Sequence, residues 1–158
     1  MHHHCILRLP RGYNAFCDSP EDAVPDQGMI TLVQWDVPAY GIALATNLQA
    51  LAVRVEFGRA YTICNLCLHS NRRLTTQDLQ SIINQLPQPY VIIGNFNSRH
   101  HLWGDNTINQ LGCVIETLLI GDNICLNTGE YTHLHIRTAA RSGLDLSLCS
   151  PEIAADLE

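Results

Sequence analysis

The feature that most constrains the fold is a change of hydrophobic period near Ser70. Upstream, Leu51, Val53 and Val55 alternate with Ala52, Arg54 and Glu56, the period of two that gives a strand one buried face. Downstream, Leu79, Ile82, Ile83 and Leu86 recur at a spacing of three to four, which lines one stripe of a helix. Thr75 or Thr76 caps that helix, and Pro87 and Pro89 stop it. Tyr90 to Ile93 then forms a short β-branched run ending at Gly94, as a buried strand would. A chain that passes from strand to amphipathic helix to buried strand builds a layered α/β domain, not a bundle.

The rest of the chain repeats the theme. Met29 to Asp36, Gly41 to Thr46 and Tyr61 to Leu68 read as strands, with Gly58 turning a hairpin between the Leu51 strand and the Tyr61 strand. A second helix is predicted from Asn109 to about Gly121, its inner face formed by Leu111, Ile115, Leu118 and Leu119. Short strands follow at Ile124 to Leu126, Tyr131 to Ile136 and Leu144 to Leu148, and the acidic Glu152 to Glu158 reads as the start of another helix. Met1 to Gln27, punctuated by Pro10, Gly12, Pro20 and Pro25, reads as turn-rich and irregular, and the His2 to His4 run as an untidy terminus. With 158 residues, 46% of them hydrophobic, a single domain has enough apolar material for its core.

Composition narrows the function. The net charge is -6, and the nine basic residues are all arginine, so the bulk surface offers a polyanion little general attraction and any nucleic-acid contact must be local. Seven scattered cysteines with no compact framework predict free thiols and an intracellular, reducing compartment, nucleus or cytoplasm. Apolar runs break well before the roughly 18 residues of a membrane span, so no membrane segment is expected.

Polar side chains concentrate in Val91 to Asp105, at the end of a buried strand, where open α/β sheets place their sites. If the backbone stays extended past Gly94, Asn95 and Asn97 point the same way and Phe96 points into the core. An Asx-rich turn, in which both asparagines serve local backbone groups, is the competing reading.

Gly94-Asn95-Phe96-Asn97, followed by Ser98-Arg99-His100-His101-Leu102-Trp103-Gly104, resembles the Gly-Asp-Phe-Asn signature of the endonuclease/exonuclease/phosphatase family, in the form found in endonuclease domains of non-LTR retrotransposons. The resemblance extends from about Leu48 to Pro151: Leu48 to Val55 resembles the strand before the family's central hairpin, Thr132-His133 its polar turn, and Leu144 to Leu148 its Asp-Leu strand. It implies an α/β fragment of a four-layered sandwich of two mixed β-sheets flanked by helices, and Mg²⁺-dependent hydrolysis of DNA phosphodiesters. It also implies roles. Asn95 stands where the family has an Asp that aligns or deprotonates the attacking water, and Asn97 matches an Asn that holds phosphate and nucleophile. Asp145 matches an Asp that orients the catalytic His. Cys67 replaces a Tyr that contacts the scissile phosphate, and Thr132 and His100 join Asn97 as substrate-binding candidates.

The family's first strands, with a metal-binding Asn and Glu, and its Ser-Asp-His segment have no match in residues 1–158, which the resemblance reads as one incomplete domain. Gly12 to Phe16 resembles the segment just after those strands. An open sheet edge and self-association are expected consequences. An amide lacks the base function of a carboxylate at neutral pH, and a thiol is shorter than a phenol. The expectation is a retrotransposon-type DNA endonuclease domain without turnover in this chain, with weak DNA binding surviving, and the alternative is a non-catalytic remnant or binding module. Cys64 and Cys67 have zinc-like spacing but face opposite sides of a strand. His69, His100, His101, His133 and His135 form the other candidate metal set, for which neutral, backbone-bonded histidines are the commoner outcome. Trp103 reads as a packed anchor for its loop, with Gly104 in a tight turn.

Overall fold

A computed structural model describes residues 10–18, 28–70, 73–127, 129–137 and 139–154. The readings of His2 to His4 and of the acidic residues past 154 lie outside them. The described residues form ten strands: β1 (Tyr13–Asp18), β2 (Met29–Gln34), β3 (Ala39–Ile42), β4 (Gln49–Phe57), β5 (Arg59–Cys67), β6 (Tyr90–Asn95), β7 (Ile124–Cys125), β8 (His133–His135), β9 (Ala140–Ser142) and β10 (Asp145–Cys149). Three helices accompany them: α1 (Thr76–Ile83) after β5, α2 (Gln110–Leu119) before β7, and α3 (Pro151–Ala154) after β10.

The central sheet has six strands in the order β3-β4-β5-β6-β10-β7. Within it only β5 and β6 run parallel, because α1 is the crossover between them; the other pairs are antiparallel. Thr75 caps α1 reciprocally: its hydroxyl accepts from Asp78 N while the Asp78 carboxylate accepts from Thr75 N at 2.8 Å. Asn109 caps α2, its Oδ1 accepting from Gly112 N at 2.8 Å. Leu79, Ile82 and Ile83 of α1 and Leu111, Ile115 and Leu118 of α2 bury one face of the sheet, meeting Ala52, Cys64, Leu66, Ile92, Leu146 and Leu148. The opposite face carries the β1–β2 hairpin, whose Phe16 and Val33 pack on Val53, Val55 and Ile63. Helices, six-stranded sheet and second, two-stranded sheet make three layers of an α/β sandwich.

Three expectations change. The opening segment is not wholly irregular, since Tyr13–Asp18 pairs with β2 throughout. β4 is buried on both faces, with Ala52 and Val53 alike fully covered, because alanines sit under helices and valines under the hairpin. The strand predicted at Gly41 to Thr46 instead spans Ala39–Ile42.

Candidate functional site

The parallel strands β5 and β6 end side by side, and β10 begins beside the end of β6. β-sheet register turns this into chemistry. Cys67 lies opposite Gln49 on β4, and Asn95 lies opposite Asp145 on β10. The β5–β6 register, Asn65 with Ile93, carried two residues on sets Cys67 beside Asn95. Gln49, Cys67, Asn95 and Asp145 therefore form one row across four strands, on the sheet face away from α1 and α2. Three of the sequence-predicted residues are brought together by backbone pairing alone.

Gly94 and Phe96 fix the end of β6. Gly94 has φ 143°, and a Cβ there would run into the Leu66 carbonyl, so only glycine lets β6 approach β5 this closely. Phe96 is 1% exposed and plugs the helix-side core, while its N–H bonds the Leu144 carbonyl at 2.9 Å. The chain does not then stay extended. Asn97 has φ 47°, and its N–H donates to Asn95 Oδ1 at 2.9 Å, closing an Asx turn. Asn97 Nδ2 donates to Leu68 O at 2.6 Å, and Asn97 O accepts from Asn109 Nδ2 at 2.8 Å. Of the two readings of this asparagine pair, local backbone bonding is the one its geometry follows.

Beyond the turn, the loop is built on Trp103. Trp103 is 1% exposed, its Nε1 donates to Ser98 O at 3.3 Å, and Gly104 takes φ 85° to close the 3-10 turn His101–Trp103. His100 is buried too. Its Nδ1 accepts from Leu102 N, its Nε2 lies 3.5 Å from Glu116 Oε2 of α2, and its ring lies 5.3 Å from that of Trp103. These surroundings are structural, unlike the half-exposed row. The turn packs on the next loop, since a Cβ on Gly104 would come within 2.8 Å of Gly129.

That second loop presents Thr132 and Asp145. Thr132 Oγ1 accepts from Leu144 N at 3.1 Å and from Asp145 N at 3.0 Å. Nothing in the sequence singles out Asn127, which bonds β10 just past Asp145. Its only signal, an Asn directly after a short strand, is too common to mark a site. The Asp145 carboxylate accepts no hydrogen bond from any described residue. Burial first, and the negative charge of Asp145 second, hold the Cys67 thiol above its ordinary range, which disfavours a thiolate at neutral pH. Cys64, on the opposite face of β5, is fully buried, and burial pushes its thiol up to about 12. Arg141 joins Thr132 and His133 in lining an open cleft of about 300 Å³.

Among the described residues, no three His, Cys, Asp or Glu side chains converge on one point. The row itself supplies one carboxylate, one thiol and amides. Mg²⁺ prefers hard, charged oxygen ligands in near-octahedral array, so this donor set fits it poorly.

The layered sheet has a retrotransposon endonuclease-like fold. Residues 60–158 match the family described as endonuclease-reverse transcriptase, and the chain belongs to that family. Among solved structures, it is similar to the endonuclease domain of TRAS1, a telomere-specific non-LTR retrotransposon, with a TM-score of 0.76 and 18% identity over 92% of this chain and 70% of that one. No curated protein matches the chain. No helix among the described residues is long and apolar enough to cross a membrane.

Proposed function

We propose that this chain is a DNA endonuclease domain of retrotransposon type that binds a phosphodiester backbone without cleaving it. The observation that carries the reading is the Asn95 side chain. Its oxygen is committed to the Asn97 N–H at 2.9 Å, and as a neutral amide it can neither take a proton from water nor attract a divalent cation as a carboxylate would. The Asn97 amide, Thr132 and Arg141 remain as neutral or positive groups around the site. The β8–β9 hairpin supplies a local pair of cations: Arg137 and Arg141 are exposed on it beside Tyr131 and Leu134, with Glu130 also lining the cleft. DNA is the partner the family suggests, held weakly.

The test is nicking of supercoiled plasmid with Mg²⁺ and with Mn²⁺, alongside DNA binding by fluorescence anisotropy. The chain should bind without nicking, and Asn95→Asp alone should restore little, because two carboxylates, the introduced one and that of Asp145, still leave the metal underprovided. Metal-dependent nicking by the unaltered chain that vanishes in Asn97→Ala would overturn the reading.

A further inference from the structure

β7 ends after two pairs with β10, Ile124 with Cys149 and Cys125 with Leu148, so the rest of the outer edge of β10 has no strand beside it among the described residues. Leu126 N takes the Ser147 carbonyl at 2.8 Å. The next edge groups go to a side chain: Asn127 Oδ1 accepts from Ser147 N at 2.7 Å, and Asn127 Nδ2 donates to Asp145 O at 3.0 Å. A primary amide presents a donor and an acceptor much as a peptide group does, so Asn127 continues the ladder without a strand. From the other side, Thr132 Oγ1 accepts from the N–H groups of Leu144 and Asp145. Both backbone polar groups of Asp145 are thus held by side chains, while its carboxylate bonds no described residue.

We propose that Asn127 is a positioning residue, which together with Thr132 holds Asp145 on the face it shares with Asn95 and Cys67 and leaves its carboxylate available at the site. The location of the site rests on the functional reading above. The clamp is tested without nucleic acid, so failure of DNA binding and failure of the clamp are separate results. Cys67 supplies the reporter, because a negative charge beside a thiol slows its alkylation.

The measurement is the rate of iodoacetamide labelling of Cys67 in the full chain at fixed mildly alkaline pH, followed on the Cys67 peptide by mass spectrometry. Asp145→Asn should speed labelling. Asn127→Ala should speed it about twofold, the scale of one screened charge moving away, and should add nothing in the Asp145→Asn background. Thr132→Val should behave like Asn127→Ala, and Thr132→Ser, which keeps the acceptor oxygen, should restore the original rate. An equal effect of Asn127→Ala in both backgrounds would mean that the variant merely exposes Cys67, and the proposal would be wrong. No effect in either background would end it as well. If Asn127→Ala does not fold, the Thr132→Val and Thr132→Ser pair in the same two backgrounds answers the same question.

Discussion

Asn95 and Asp145 face each other as a non-hydrogen-bonded pair of the antiparallel β6–β10 ladder: the bonds run through the neighbouring Phe96 and Leu144, while the backbone of Asp145 is turned outward to Thr132 and Asn127. Side chains of such a pair lie closer than those of a bonded pair. An Asp at 95 would keep the acceptor for the Asn97 N–H but set a second negative charge against Asp145. Asn95→Asp should therefore lose about 0.5–1 kcal/mol at neutral pH, the scale of a like-charged cross-strand pair. Mg²⁺ should raise the melting temperature of the variant more than that of the parent. Equal stability at pH 7 and equal response to Mg²⁺ would show that the two side chains do not face each other.

Gly94 is the position where β6 admits no side chain, since φ 143° and the Leu66 carbonyl act against a Cβ together. Gly94→Ala should cost about 3 kcal/mol or more, combining backbone strain with a steric shift at the sheet centre. Gly28→Ala serves as control, having open space around its Cα. Urea midpoints distinguish the outcomes: similar losses in the two variants would mean that β5 and β6 do not meet as described.

Legibility in the sequence follows the scale of the signal. α1 is readable because an apolar stripe, a capping threonine and two stopping prolines agree, and Thr75 caps it; α2 is readable from its apolar stripe alone, and Asn109, its expected start, serves as its cap. β1 is hard to read because Tyr13 to Asp18 alternates weakly, with Asn14 and Phe16 on one face and Ala15 and Cys17 on the other; it becomes a strand through pairing with β2. Gly94 to Asn97 is recognisable as a motif, yet the conformation of Asn97 is not, because an extended chain and an Asx turn use the same residues. The row from Gln49 to Asp145 is invisible for another reason. It depends on register between strands far apart in sequence, which no local pattern records.

Arg141 offers a test of where nucleic acid lies. It is exposed, lines the cleft with Thr132, and belongs to the strand that pairs with β8. If it neutralises a phosphate, Arg141→Ala should weaken binding without regard to DNA sequence and lower the slope of log K against log salt by about 1. Arg59 lies at the start of β5, the end of that strand away from Cys67, so Arg59→Ala should leave the slope unchanged. Equal effects of the two changes would remove the β8–β9 hairpin from the interface.

Alkaline pH should destabilise the fold through two buried acids that the site does not use. Cys64 is fully buried on the helix side of β5, and burial raises its thiol from 9.0 to about 12. Tyr90, at the start of β6, is raised from 10.0 to about 12 by burial first and then by the negative charges of Glu152, Cys149 and Asp122, and its hydroxyl donates to Asn123 Oδ1 at 2.6 Å. Both are acids whose folded-state values lie above their unfolded ones. As pH rises past 9 and then 10, the unfolded chain releases these protons while the folded chain keeps them, so unfolding becomes progressively favoured. Their contribution is complete below about pH 9 and is lost as pH approaches 12, at no more than about 1.4 kcal/mol per pH unit for each group. Urea midpoints taken from about pH 7 to 11 should fall above about pH 9. Cys64→Ala and Tyr90→Phe will each lower stability at neutral pH by removing packing or a hydrogen bond, so the readout is the slope, not the level. Each variant should flatten the decline, Cys64→Ala from about pH 9 and Tyr90→Phe from about pH 10. A decline as steep in both variants as in the parent would place the alkaline titration elsewhere in the chain.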